Sequence, residues 1–130
     1  MRTLMLQPLF VTLKHLVKKP VTVQYPDKKV KPSPRYRGFL VYYVDKCTAC
    51  LSCERNCPNN CIRIKTRKEN KKRIVEEYIY FAGRCMFCGI CVEVCPTKPK
   101  AIRMTDEYEL ASDSRTSLVF DLVKVERSKR

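Results

Sequence analysis

Apolar and polar positions alternate with different periods along the chain, and the changes of period divide it. Near the start, Leu6, Leu9/Phe10, Leu13 and Leu16/Val17 recur at helical spacing. Pro8 suits a first helical turn, so the pattern predicts a helix from about Gln7 to Lys18. Lys14, Lys18 and Lys19 fall toward its C-terminal end, where the helix dipole favours cations, and Pro20 ends it. The apolar run is too short to span a bilayer. It reads as an amphipathic basic helix lying on a membrane surface or in a partner's groove. Pro20, Pro26, Pro32 and Pro34 follow, among Lys28, Lys29, Lys31, Arg35 and Arg37. Proline fixes φ and removes donors, so this stretch predicts an extended arm. Tyr25 and Tyr36 on it suggest that the arm runs over a partner.

Four short segments then read as strands by β-branched and aromatic content: Phe39–Val44, Cys61–Ile64, Val75–Phe81 and Ala101–Met104. Near the end, six of the eight residues from Leu118 to Val125 are apolar. A free tail does not expose that much apolar surface, so this one is expected to be buried against a partner, as helix or as strand.

All nine cysteines fall between the first strand and the last, in a pattern that occurs twice. Cys47-x-x-Cys50-x-x-Cys53-x-x-x-Cys57-Pro58 is matched by Cys85-x-x-Cys88-x-x-Cys91-x-x-x-Cys95-Pro96. Three cysteines spaced by three wrap a tight loop around three corners of a cubane. In two-cluster ferredoxins the fourth cysteine binds the other cluster. The expected ligand sets are therefore Cys47, Cys50, Cys53 and Cys95 for one [4Fe–4S] cluster, and Cys85, Cys88, Cys91 and Cys57 for the second. A disulfide framework would suit a small secreted protein, but no secretory signal precedes the chain. Zinc ribbons use two separated pairs, not three cysteines in seven residues plus Cys-Pro. Cys61 stands where the second copy has Ala101, and reads as a small buried hydrophobe beside the cluster. The second copy has two extra residues, in the turn Thr97–Lys100. His15, the single histidine, reads as solvated or packed.

Charge changes the picture less. The net charge is +14 in 130 residues. Residues 1–46 carry ten Lys/Arg against two Asp/Glu, a net +8, and Arg63–Glu77 carries seven against three, a net +4. A basic balance fits nucleic acid, anionic lipid or an acidic partner. No recognition motif accompanies it, so nucleic acid is set aside. The basic link Lys65–Arg73 reads as a solvated hairpin tip. A cluster unit of about fifty residues buries too little apolar surface to be stable alone, which couples metal binding to folding.

The chain resembles subunit I of respiratory complex I, NADH–quinone oxidoreductase, and the two-cluster subunit of related membrane-bound hydrogenases. The resemblance is carried by Thr12-Leu-Lys-His-Leu-Val-Lys-Lys-Pro20, Pro34-Arg-Tyr-Arg-Gly38, both cysteine motifs, and Met104-Thr-Asp-Glu-Tyr-Glu-Leu-Ala111. It implies the same eight ligands and a place in the peripheral arm beside the subunit holding the terminal cluster. The longer Thr97–Lys100 turn and Cys61 depart from the family's pattern. The expected fold is α+β: a ferredoxin-like two-[4Fe–4S] domain (39–105) with an internal pseudo-twofold repeat, an N-terminal amphipathic helix and docking arm (1–38), and a C-terminal docking tail (106–130). The expected role is non-catalytic single-electron relay in a complex I-like oxidoreductase. A membrane-bound hydrogenase or sulfur-reducing complex is the alternative, and a free soluble ferredoxin a further one. Expected partners are the terminal-cluster subunit, a membrane subunit and the membrane surface. The expected location is peripheral, on the cytoplasmic side of the cell membrane.

Overall fold

The computed structural model describes residues 6–69 and 72–128. They divide into two compact units, one ending at Pro32 and one beginning at Ser33. The first unit contains α1 (Gln7–Val17), with Pro8 in its first turn and Lys14 and His15 in its last. It ends one residue before the expected Lys18, which is already extended. No residue of α1 is buried: Leu13 is 59% exposed and Leu16 82%. His15 is exposed too. Among the described residues no helix is long and apolar enough to cross a membrane.

The second unit is α+β. Its strands are β1 (Leu40–Tyr42), β2 (Ile62–Glu69), β3 (Lys72–Phe81), β4 (Ile102–Met104) and β5 (Val119–Asp121). Between them lie two single-turn helices, α2 (Ser52–Arg55) and α3 (Ile90–Glu93), and the chain closes with α4 (Leu122–Ser128). β1 and β4 pair antiparallel, with Tyr42 opposite Ile102. β2, β3 and β5 form a second antiparallel sheet, with β3 in the middle. The strand before the first motif thus pairs with the strand after the second, and β2 pairs with β3, with Ile62 opposite Tyr80. The inward side chains of both sheets share one core, in which Leu40, Tyr42, Ile62, Tyr78, Tyr80 and Ile102 are buried.

Three sequence expectations change. β2 and β3 extend well into the basic link, past a register shift between Lys65 and Thr66. The link is therefore a long hairpin whose outer strand residues, from Lys65 to Glu69, are exposed. Its tip, Asn70 and Lys71, lies outside the described residues. The segment Val119–Ser128 is both strand and helix, and it packs on this protein's own core. β5 adds to the free edge of β3, and Leu122 and Val123 of α4 are buried in the core. Asp121 Oδ1 accepts the Val123 N–H at 3.2 Å, as a helix N-cap does. Glu126 of α4 accepts the Val44 N–H at 2.6 Å, tying the helix to the end of the first strand.

Finally, the compact unit begins before Phe39. Gly38 donates its N–H to Thr105 O at 2.7 Å, and Phe39 donates to Glu107 O at 3.0 Å. A Cβ at Gly38 would lie 2.2 Å from the Glu107 carbonyl oxygen, so only glycine lets these backbones approach. Arg37 donates to the Cys88 carbonyl. The Arg-Gly end of the expected arm is thus part of the domain.

Candidate iron–sulfur centre

The cysteine loops have matched backbones. Ala49 and Phe87 hold matched positions, and each has φ 52°. Two residues on, Leu51 (φ 62°) and Gly89 (φ 84°) are left-handed as well and lead into α2 and α3. A left-handed non-glycine residue costs on the order of 1–3 kcal/mol and persists where its surroundings impose it. Here the conformation accompanies a specific bond. The Ala49 N–H points back at Cys47 Sγ, 3.4 Å away, and the Phe87 N–H points at Cys85 Sγ, also 3.4 Å away. Backbone donors aimed at sulfur are what bound thiolates need.

Cys57 is brought to the second motif. It lines one cavity together with Cys85, Cys88 and Cys91. Leu40, Ile62, Ile90 and Met104 make the walls apolar, and Cys61 lies in the same wall. Cys47, Cys50 and Cys53 occupy the first loop and the start of α2. Cys53 is buried and Cys50 is exposed. Cys95 follows α3, and its Sγ lies 3.2 Å from the Thr97 hydroxyl. The backbone N–H groups of Ala101 and Ile102 also favour its thiolate. Ile102 is paired with Tyr42, so the strand after the second motif lies beside the strand before the first.

The sulfurs feel one another. Burial pushes the Cys91 thiol up to about 12, followed by the charges of Cys85, Cys53, Cys88 and Cys57. Burial pushes Cys53 up to about 11. Cys50 is lowered by its hydrogen bonds with Ser52. Burial alone would raise Cys95, but the Thr97 hydroxyl and nearby backbone N–H groups outweigh it and lower the thiol. Several half-buried thiolates this close together are unfavourable without a cation among them. Among the described residues, no three His, Cys, Asp or Glu side chains converge as a single-ion site requires.

Cys61 is 1% exposed, and burial, followed by the neighbouring Cys57, raises its thiol to about 12. Its backbone N–H donates to Cys57 Sγ at 3.2 Å. In the second motif Ala101 holds the matching place, but its N–H goes to Thr97 Oγ1 at 2.8 Å. The longer turn thus adds the Thr97 hydroxyl within reach of both the Ala101 N–H and the Cys95 sulfur.

Three tyrosines complete the site, none of them singled out by the motif. Tyr78 donates to Cys53 Sγ at 3.6 Å and is fully buried. The hydroxyls of Tyr42 and Tyr80 are buried and form no hydrogen bond. Burial, then the Cys47 sulfur, raises the Tyr42 phenol, and burial, then the Cys85 sulfur, raises that of Tyr80. An unsatisfied buried hydroxyl costs about 1–3 kcal/mol. Two of them beside cysteine sulfurs mark places where an acceptor of greater charge is expected, as cluster-bound thiolates would be. The signal was present in the sequence: Tyr42 and Tyr80 each stand five residues ahead of the first cysteine of a motif.

A family model described as a 4Fe-4S dicluster domain matches residues 46–98. NADH-quinone oxidoreductase subunit I 2 of Geobacter metallireducens is 42% identical over 115 residues, which are 85% of this chain and 86% of that protein. The chain belongs to the NADH-quinone oxidoreductase subunit I family. It carries two [4Fe–4S] clusters. NAD(P)H-quinone oxidoreductase subunit I of Gloeobacter violaceus is 42% identical over 93% of this chain, which spans 58% of that protein's length. A chain in the structure of the membrane-bound sulfane sulfur reductase, an archaeal respiratory membrane complex, is 36% identical with a TM-score of 0.59. That match covers 85% of this subunit I chain and 57% of the archaeal one.

Proposed function

We propose that this subunit I chain is the electron relay of a complex I-like membrane oxidoreductase, passing single electrons toward a terminal cluster held by a neighbouring subunit. The observation that carries this reading is the shared cavity of Cys57 with Cys85, Cys88 and Cys91. It supports the crossed ligand sets: Cys47, Cys50, Cys53 and Cys95 for one cluster, Cys85, Cys88, Cys91 and Cys57 for the other. Crossing ties the two halves together and sets the clusters side by side. Matched left-handed residues in both loops support an internal pseudo-twofold repeat. Each cluster, when bound, supplies one-electron redox chemistry. The chain's residues supply the thiolates, the donors around them, and burial. Cys61 is a packing residue whose N–H serves the sulfur of Cys57.

The exposed apolar face of α1, the lysines beside it and the following arm are docking elements for partner subunits near the membrane, on its cytoplasmic side. A pre-extended, proline-rich arm loses less entropy on binding than a flexible one. The archaeal sulfane sulfur reductase likeness favours a second reading for the host complex, a sulfur-reducing one. In either host the relay is the same.

The full chain, reconstituted anaerobically with iron and sulfide, should hold about eight of each, by the ligand count of two cubanes. Cys57→Ser should perturb the same cluster as Cys85→Ser, and Cys95→Ser the same cluster as Cys47→Ser, while Cys61→Ala leaves both spectra almost unchanged. Stoichiometric zinc without iron would refute the cluster reading. Cys57→Ser perturbing the same cluster as Cys47→Ser would refute the crossing.

A further inference from the structure

Three buried phenols stand around the sulfurs. Tyr78 and Tyr80 are alternate residues of β3, so both point to the inner face of that strand. Tyr42 reaches the same core from β1 and stacks on Tyr78, with ring centroids 4.4 Å apart and planes at 26°. The stack and the strand backbone fix where the hydroxyls point. All three residues are at most 2% exposed, so water is not their partner. Tyr78 Oη already donates to Cys53 Sγ at 3.6 Å. The Tyr42 and Tyr80 hydroxyls are buried without a hydrogen-bond partner; Tyr80 lines the same cavity as Cys85, Tyr42 stacks on the Tyr78 ring that reaches Cys53, and after burial the sulfurs of Cys47 and Cys85 are what raise the two phenols.

A core position with no acceptor is served better by phenylalanine, which fills nearly the same volume and leaves nothing unpaired. Phe39, which fills such a position in the same core, packs edge-on against Tyr80 and Phe120. The three tyrosines buried in this core are Tyr42, Tyr78 and Tyr80.

We infer that Tyr42, Tyr78 and Tyr80 are hydrogen-bond donors to cluster thiolates and tune the two reduction potentials separately. Tyr42 and Tyr78 serve the cluster held by Cys47, Cys50 and Cys53. Tyr80 serves the one held by Cys85, Cys88 and Cys91. The inference rests on the ligand sets proposed above. Reduction adds one negative charge to the cluster and its thiolates, so a donor aimed at sulfur stabilises the reduced form and raises the potential. The arrangement is unequal, with two phenols on the first cluster and one on the second. The first cluster is therefore raised more by this device.

The test uses the full chain reconstituted with iron and sulfide, with Tyr42→Phe, Tyr78→Phe and Tyr80→Phe made singly. Iron and sulfide are counted first, and midpoint potentials are then read by EPR-monitored titration. Tyr80→Phe should lower one potential, and Tyr42→Phe and Tyr78→Phe should each lower the other. Each shift should be on the order of tenfold in the reduction equilibrium, about 59 mV for one electron. Site-specific 3-fluorotyrosine, a stronger donor with the ring and hydroxyl kept, should move the same potentials upward. Unchanged potentials in phenylalanine variants that retain both clusters overturn the inference, and so does Tyr80→Phe moving the same cluster as Tyr42→Phe. Should a phenylalanine variant lose its cluster, the fluorotyrosine chain decides, and no upward shift there overturns the inference. Failure of the unsubstituted chain to hold two cubanes counts instead against the ligand sets.

Discussion

Thr97 shows how much one hydroxyl can carry. Its oxygen accepts the Ala101 N–H at 2.8 Å, so its own hydrogen is left for Cys95 Sγ, 3.2 Å away. In the first motif the equivalent backbone donor, the N–H of Cys61, reaches Cys57 Sγ directly. The two extra residues of the second motif lengthen the turn, and Thr97 fills the gap. Thr97→Val keeps the shape and removes both bonds. It should lower the potential of the cluster that Cys95 holds. Taking the Thr97 oxygen from the buried Ala101 N–H should also cost about 1 kcal/mol of stability. A potential titration beside a denaturant melt of the reconstituted chain measures both, and an unchanged potential would rule the relay out. The repeated cysteine pattern, on which the proposed ligand sets rest, was legible from spacing alone. The departure of the second turn was also legible, as two extra residues. What Thr97 does there was not, because a hydroxyl's partner depends on the path of the backbone. The tyrosines lay between these cases. Their repeated place ahead of each motif could be read, but a buried aromatic on a strand looks like ordinary core until its hydroxyl is found beside sulfur.

At the scale of elements, α1, the four inner strands and the loops were readable from period and punctuation. The end of the chain was not. Its apolar run from Leu118 to Val125 fits a strand or a helix, and it proves to be one followed by the other. The change falls at Asp121, whose carboxylate caps the helix. Nothing local reveals that β3 has a free edge for β5 to join, since that is a property of the finished sheet. The long basic hairpin was underestimated for the opposite reason. Its outer residues are polar on both faces and give no alternating signal, yet β2 and β3 remain paired from Glu69 and Lys72 inward. If the terminal strand and helix belong to the domain's own core, Leu122→Ala should destabilise the isolated, reconstituted chain. The expected loss is about 2–5 kcal/mol, as for other buried leucines. A tail that is ordered only on a partner would leave the melt of the isolated chain unchanged.

At the scale of the molecule, the division between domain and arm falls at Pro32 and Ser33, not between Gly38 and Phe39. Proline content set the expected boundary, because it marks extended chain whether or not that chain is packed. Arg37, Gly38 and Phe39 bond to Cys88, Thr105 and Glu107, so a cut at residue 38 would remove contacts beside a ligand loop. A cut at residue 32 keeps these three bonds. Residues 1–32 contain α1, whose Leu9, Phe10, Leu13 and Leu16 are all more than half exposed, and no residue of that helix is buried. Exposing a contiguous apolar face of three turns is unfavourable in water, which favours its burial against a partner subunit or at the bilayer surface. Deleting residues 1–32 should therefore leave iron content, sulfide content and both potentials of the isolated chain unchanged, while abolishing its incorporation into the membrane complex. Deleting residues 1–38 should abolish incorporation as well, but should also disturb the cluster held by Cys85, Cys88 and Cys91, through loss of the Arg37 bond to Cys88. Co-purification from a detergent extract reads the first effect and EPR the second. Normal assembly of the chain lacking residues 1–32 would remove the docking role of α1 and leave the two-cluster domain as the whole of the working subunit.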